Sequence, residues 1–181
     1  MNQFKLQTLQ KLIIDQSGQE RLILNDLILG YEGARVVASM IPEYHAGIHH
    51  LEIKGNNLDG DAFEIIVSAL LHCHYLKSIM AEWNSIGSSE LGLAALSHLT
   101  KTLHYLELID LKNNRICHHL SPYLADIIRA NQPSLKVLDL RWNELGELGA
   151  QTILAAIPEN QSMKFIGLED NQISTGMLME I

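Results

Sequence analysis

Two aspartates are the residues of this chain whose types and spacing could support acid–base chemistry. Asp110 and Asp139 occupy equivalent positions of two similar segments, LELIDLKNN and LKVLDLRWN, and two neighbouring carboxylates can share a proton. The surrounding pattern predicts strands, so both side chains should lie on an open sheet surface. Such a surface lacks the enclosing pocket that catalysis needs, and the sequence therefore does not predict an enzyme.

Nine histidines raise the question of a metal site. Two clusters place histidine beside cysteine, HCH at 72–74 and CHH at 117–119. Neither has the C-x2-4-C or H-x3-5-H spacing that directs two ligands to one ion. We interpret both clusters as surface polar residues at the ends of structural elements, and we expect no metal and no cofactor.

A repeated pattern indicates the scaffold on which any binding residue must lie. The segment Leu135–Leu145, LKVLDLRWNEL, fits the pattern LxxLxLxxNxL at every defined position. Four further segments keep apolar residues in the same places: Ile48–Leu58, Leu76–Ile86, Leu106–Ile116 and Met163–Ile173. Their asparagines are Asn56, Asn84, Asn114, Asn143 and Asn171, at spacings of 28, 30, 29 and 28 residues. A fixed period of this size is typical of a solenoid.

The asparagines have a physical reason to recur. The LxL core of each segment predicts a short strand, and after it the backbone must turn inward, where unpaired N–H and C=O groups each cost about 1–3 kcal/mol. An asparagine side chain carries both donors and an acceptor. We therefore predict a structural ladder that bonds the turning backbone of its own and the adjacent repeat.

The pattern resembles the leucine-rich repeat family. A period of 28 to 30 residues leaves room for a helix of about ten residues per repeat, which is similar to the ribonuclease-inhibitor-like class. The predicted fold class is α/β, a right-handed leucine-rich repeat solenoid with a parallel inner sheet and outer helices. The predicted organisation is a helical cap at 1–20, a degenerate first repeat at 21–46, full repeats at 47–74, 75–104, 105–133 and 134–161, and a partial repeat at 162–181.

Finer features of the helices follow from local signals. In the degenerate repeat, Leu27 stands where the ladder asparagine would be, and Pro42 and Pro158 are each predicted to end a helix. Ser121 is predicted to cap the helix that begins with Pro122. Few residues follow Ile173, so we expect a partner or further chain to cover the C-terminal edge near Ile181.

Alternation along each strand directs one set of side chains to the concave face of the solenoid. Both tryptophans occupy one repeat-equivalent position, directly before the asparagine, and Arg141 precedes Trp142. Tryptophan and arginine are enriched at interface hot spots, although packing of the indoles along the sheet edge is an alternative. The candidate partner-binding residues are Glu52, Lys54, Glu82, Trp83, Asp110, Lys112, Asp139, Arg141, Trp142, Phe165 and Glu169.

Charge and composition restrict the class of partner. The net charge of −8 argues against binding to nucleic acid, because few cations are present to neutralise phosphates, and it disfavours anionic membranes. Two cysteines without paired spacing favour a reducing compartment. A protein partner in the cytoplasm is therefore the expected ligand.

The segments AEWNSIG, LELIDLKNNRI and LKVLDLRWNELGELGAQTILAAIPENQSM resemble the N-terminal repeat region of the leucine-rich repeat-containing protein 45 family. That resemblance implies a non-enzymatic scaffold in a cytoskeletal assembly of the centrosome, basal body or cilium. A regulatory binder is the alternative, either an inhibitor or a GTPase-activating module similar to the Ran-activating leucine-rich repeat proteins.

Overall fold

The computed structural model describes residues 3–178. These residues contain one parallel sheet of six strands. Six short strands follow one another in chain order, and each pairs in parallel with the next. They are β1 (Arg21–Ile23), β2 (His50–Glu52), β3 (Ser78–Met80), β4 (Leu108–Asp110), β5 (Val137–Asp139) and β6 (Phe165–Gly167). The register is uniform, because the middle residues of neighbouring strands are always partners.

The two faces of the sheet differ because side chains alternate along a strand. In β2 the middle residue Leu51 is fully buried, whereas His50 and Glu52 are partly exposed. Ile53, two residues after Leu51, is buried as well. Each repeat therefore places two apolar side chains in the core, and the flanking residues form an open sheet face opposite the helices.

Helices cover the buried face. They are α1 (Gln3–Asp15), α2 (Gly30–Tyr44), α3 (Gly60–Ala69), α4 (Leu91–Thr102), α5 (Ser121–Arg129), α6 (Gly146–Ala156) and α7 (Thr175–Leu178). Helices α2 to α6 pack against one another in sequence order, and α4 buries Leu93, Leu96 and Leu99 at helical spacing. The predicted α/β repeat fold is confirmed.

Two predictions about helix ends are wrong. Pro42 lies inside α2, which continues to Tyr44, because a proline in the last turn leaves the helical bonds of the next residues intact. Ser121 does not cap α5. The helix follows directly on a 3₁₀ turn at His118–Leu120, and the Ser121 hydroxyl donates back to the His118 carbonyl at 2.7 Å. By contrast, α6 ends at Ala156, two residues before Pro158.

The N-terminal helix covers the first repeat. Leu9 and Ile13 of α1 are buried in the core. The side-chain amide of Gln16 accepts a bond from the Ile23 N–H at 2.8 Å and donates to the Ile23 carbonyl at 3.1 Å, which occupies the free edge of β1. At the other end, the predicted covering of the edge near Ile181 lies outside the described residues.

Candidate functional site

Buried asparagines fix the turn that follows each strand. The side-chain oxygen of Asn84, Oδ1, accepts bonds from the backbone N–H groups of Asn56 and Leu58, both at 3.0 Å. Its amide nitrogen donates to the Ile53 and Ala81 carbonyls at 3.1 and 3.0 Å. Comparable bonds to turn backbone are made by the buried side chains of Asn56, Asn114, Asn143 and Asn171. In the degenerate repeat, the Leu27 N–H donates to Asn56 at 2.9 Å.

The position before each ladder asparagine adopts a left-handed backbone. Its φ is positive in all six repeats, at 58° for Asp26, 65° for Gly55, 60° for Trp83, 52° for Asn113, 58° for Trp142 and 58° for Asp170. Glycine, asparagine and aspartate tolerate this conformation, whereas bulky side chains seldom adopt it. These six residues, together with the residues directly around them in the turns, form what we call the strand-end rim of the open sheet face.

Two indoles meet on the strand-end rim. Trp83 and Trp142 are 57% and 46% exposed, and their ring centroids lie 6.2 Å apart at an interplanar angle of 51°. They make this contact although a complete repeat, with Asn113 at the equivalent position, separates them in the sheet. The Trp142 indole N–H also donates to Asp170 Oδ2 at 2.6 Å. We call Trp83 and Trp142 the indole pair.

A charge cluster lies on the open face next to the indole pair. Lys112 Nζ contacts Asp110 Oδ2 at 2.9 Å and Asp139 Oδ2 at 3.6 Å. The Arg141 guanidinium binds the Asp139 carboxylate through two nitrogens, at 2.9 and 2.7 Å. The two carboxylates thus face cations, an arrangement that does not favour a shared proton.

Titration behaviour follows from these contacts. Burial acts to raise the pKa of Asp139, but hydrogen bonds from Arg141 and the charge of Lys112 outweigh it, so that the pKa lies below its usual value. The hydrogen bond to Asp110 raises the pKa of Lys112. Burial raises the pKa of Glu82, with Asp110 adding to the effect, and Glu82 Oε2 has no hydrogen-bond partner within the described part of the chain.

The remaining predicted residues extend the site in both directions. Phe165 is 41% exposed, and the Arg141 guanidinium carbon lies 5.9 Å from its ring centroid. Glu169 is exposed next to Asp170. At the N-terminal side of the sheet, Glu52 binds Arg21 at 2.9 Å, and Lys54 is partly exposed.

Sequence reasoning missed two features. Asp170, which holds Trp142, shares the repeat-equivalent position of the tryptophans, and that alignment was the available signal. A second aromatic pair, Tyr75 and Tyr105, lies before the strands, with centroids 6.1 Å apart and exposures of 58% and 55%. Both precede the first apolar residue of their repeats, and His49 lies 6.4 Å from the Tyr75 ring. We call these residues and the residues directly preceding each strand the strand-start rim.

The histidine–cysteine clusters do not converge on an ion. Across residues 3–178, three or more His, Cys, Asp or Glu side chains nowhere form a group suited to a metal. Cys73 is fully buried rather than on the surface, and its thiol lies 3.4 Å from the His45 carbonyl. Burial raises the pKa of that thiol to about 12. Nor does any helix in the described range have both the length and the apolar content to cross a membrane.

Solved structures of other proteins share the repeat fold of this chain. Leiomodin-1 Actin-Binding Site 2 superposes with a TM-score of 0.63 at 13% identity, covering 87% of each chain. The Caenorhabditis elegans tropomodulin C-terminal domain superposes with a TM-score of 0.55 at 11% identity, covering 97% of this chain and 87% of that one. The chain folds as a leucine-rich repeat protein.

Sequence similarity between the chain and a curated relative covers a shorter stretch than the structural likeness does. Leucine-rich repeat-containing protein 45 from Gallus gallus is 30% identical over 102 residues, which cover 56% of this chain but 15% of the relative. No family model matches the chain. The chain thus spans a small part of the length of this relative, and the likeness to the solved structures shows the fold.

Proposed function

We propose that this leucine-rich repeat protein is a non-enzymatic scaffold that binds a protein partner on its open sheet face. The observation that carries the proposal is the exposed indole pair beside the charge cluster, in which Lys112 and Arg141 are already held by carboxylates. Ordered aromatic and arginine side chains lose little conformational freedom on binding. They are also the residue types that dominate interface energetics.

We further propose that the partner belongs to a cytoskeletal assembly at the centrosome, basal body or cilium. The support is the similarity to leucine-rich repeat-containing protein 45, together with a fold shared with a domain named for actin binding. Imaging a tagged chain in ciliated cells tests this localisation. We expect discrete cytoskeletal foci, and a diffuse cytosolic signal would contradict it.

Partner capture tests the binding face. We expect Trp83→Asn with Trp142→Asn to abolish capture from a cytoskeletal extract by the immobilised chain, since both exposed indoles are lost. The matched control is Tyr75→Asn with Tyr105→Asn, which removes an aromatic pair of similar exposure from the strand-start rim. Equal capture by the tryptophan variant and the unchanged protein would refute this site.

The regulatory alternative depends on an available arginine. A GTPase-activating module would need one within reach of a bound nucleotide. The Arg141 guanidinium binds Asp139 through two nitrogens, whereas Arg115 is exposed on the strand-end rim. A GTPase turnover assay with the purified chain distinguishes the two functions, and acceleration by the chain would favour the alternative.

A further inference from the structure

The indole pair occupies positions that its own backbone disfavours. Four of the six repeats place aspartate, glycine or asparagine at this left-handed position, and two place tryptophan. Because a bulky side chain is strained there, local folding does not explain the choice of tryptophan. A strained residue of this kind motivates a functional hypothesis.

The geometry of the pair exposes aromatic surface on the strand-end rim. The two rings contact each other across the Asn113 repeat, and the bond to Asp170 holds Trp142 by its indole N–H. About half of each side chain remains accessible to solvent. The face of an indole carries negative electrostatic potential and attracts lysine or arginine cations.

Charges around the indole pair favour a cation as well. Lys112 and Arg141 are neutralised by Asp110 and Asp139 within the charge cluster. Exposed carboxylates remain on the strand-end rim at Glu144, Glu169 and Asp170, and among the described residues no lysine or arginine lies within ion-pairing distance of them. The opposing cations on this rim are the exposed Arg115 and the partly exposed Lys54. The net charge of the whole chain, −8, has the same sign as this surplus of carboxylates.

We propose that the indole pair is a receptor for a basic peptide segment of the partner, with one lysine or arginine side chain lying against the indoles and neighbouring cations facing the rim carboxylates. This inference rests on the proposed function and specifies the chemistry of its partner. It predicts a preference for arginine over lysine, because a planar guanidinium both stacks on an indole and binds carboxylates.

Peptide titration tests the inference directly. Labelled peptides of equal length, containing arginine–serine, lysine–serine, glutamate–serine or proline–serine repeats, are titrated with the full chain and followed by fluorescence anisotropy. We expect the arginine peptide to bind most tightly, the lysine peptide more weakly and the glutamate and proline peptides not measurably. Added salt should weaken binding, because the rim charges are exposed to solvent.

The chain provides its own reporter and its own control. Both tryptophans of the protein belong to the indole pair, so unlabelled arginine peptide should change the intrinsic indole emission. Trp83→Asn with Trp142→Asn should lower the affinity for the arginine peptide by about tenfold or more. Tyr75→Asn with Tyr105→Asn should leave it unchanged within about twofold.

Each arm has an outcome that overturns the inference. Tighter binding of the glutamate or proline peptide, or a loss of arginine-peptide binding caused by the tyrosine variant alone, would do so. Absence of binding by every basic peptide would also overturn it, while a partner capture that still depends on the indoles would leave the proposed function standing. If capture itself were insensitive to the indoles, the proposed function would fail first.

Discussion

The two rims of the sheet each carry one pair of exposed aromatic rings, but the backbone beneath the pairs is held in different ways. At the strand-end rim, buried asparagine side chains bond the turn, and the residue ahead of them takes a positive φ. At the strand-start rim the backbone bonds itself in several repeats, as in the Leu76 N–H to the Cys73 carbonyl at 3.1 Å, and a side chain takes this role before β6, where Asn160 accepts from the Met163 N–H at 2.7 Å. The amide ladder therefore creates an outward-facing position whose side chain the core does not specify.

Charge separates the rims further. The residues that directly precede the six strands are Glu20, His49, Lys77, Glu107, Lys136 and Lys164. At the left-handed position directly before the ladder residue, the two charged side chains are aspartates, Asp26 and Asp170, whereas Arg115 lies one residue after its ladder asparagine. An aromatic pair in an acidic setting and one in a more basic setting should select different partners.

Removing a ladder amide should destabilise the strand-end rim most. Asn114→Ala leaves the Ile86 N–H without a partner. It also removes one bond each from the Ala81 and Lys112 carbonyls, which keep those from Asn84 and the Trp83 N–H. Three lost bonds, one of which leaves a buried donor unpaired, should cost about 3 kcal/mol in the free energy of unfolding. Asn113→Ala, at the adjacent partly exposed position, should cost about 1 kcal/mol because alanine is less suited to a positive φ. Urea denaturation of both variants measures the difference. If both lost the same free energy of unfolding, the structural role of the asparagine ladder would be contradicted.

Replacing Asp139 should reveal a charge-dependent contribution next to the indole pair. The pKa of Asp139 lies below the ordinary 3.8, so its contribution is fully present above pH 3.8 and is lost as the pH falls through the lower folded-state pKa. Asp139→Asn should therefore lower the free energy of unfolding by about 1–3 kcal/mol at pH 7 and by less at pH 3. Glu107→Gln on the strand-start rim is the control, and its free energy of unfolding should change little. If the cost of Asp139→Asn did not depend on pH, the lowered pKa of Asp139 would be contradicted.

Exchanging aromatic pairs for asparagines should affect the rims unequally. Trp83→Asn with Trp142→Asn loses a ring contact but relieves a left-handed backbone at both positions, so stability should change by less than about 1 kcal/mol. Tyr75→Asn with Tyr105→Asn loses a similar contact without that compensation, because neither tyrosine has a positive φ, and should cost about 1–2 kcal/mol. Thermal unfolding compares the two. A greater loss from the tryptophan variant would show that the indoles stabilise the fold.

The smallest effect should come from His45, which precedes β2 and is buried. Its Nε2 lies 2.8 Å from the Ile13 carbonyl of α1, and burial lowers the pKa of His45 below 6.5. Stability should be complete above pH 6.5 and decline as the pH falls toward the folded-state pKa, because the unfolded chain takes up the proton first. His45→Gln should reduce this decline in denaturation profiles measured from above pH 6.5 downward. An identical profile in both proteins would exclude His45 as the titrating group.

Much of the scaffold could be predicted because it repeats. The apolar positions and the asparagines each recur once per repeat, so five copies identified the strands and the side of the sheet to which Glu52 or Lys112 belongs. Helix ends were harder. Helix α2 continues two residues past Pro42, and α5 follows directly on a 3₁₀ turn. The short motifs around Pro42 and Ser121 do not predict either outcome.

Contacts between side chains of different repeats were not predictable in the same way. Repeat alignment placed Trp83 and Trp142 in one column, but not in contact across Asn113. It also treated Asp110 and Asp139 as a carboxylate pair, whereas Lys112 bridges them. Such outcomes depend on rotamers and on the spacing of stacked strands, neither of which a linear pattern encodes.

By itself the sequence determined the repeat length, the buried face and the residues presented on the open face, because backbone pairing and burial impose a fixed period on residue type. Only the tertiary structure decided which presented residues touch. Stacking brings side chains that are 28 to 59 residues apart to within van der Waals or hydrogen-bond distance. The local geometry of each side chain then decides which neighbouring side chain it contacts. The indole pair, held by Asp170 above a ladder of buried amides, is the outcome of that selection.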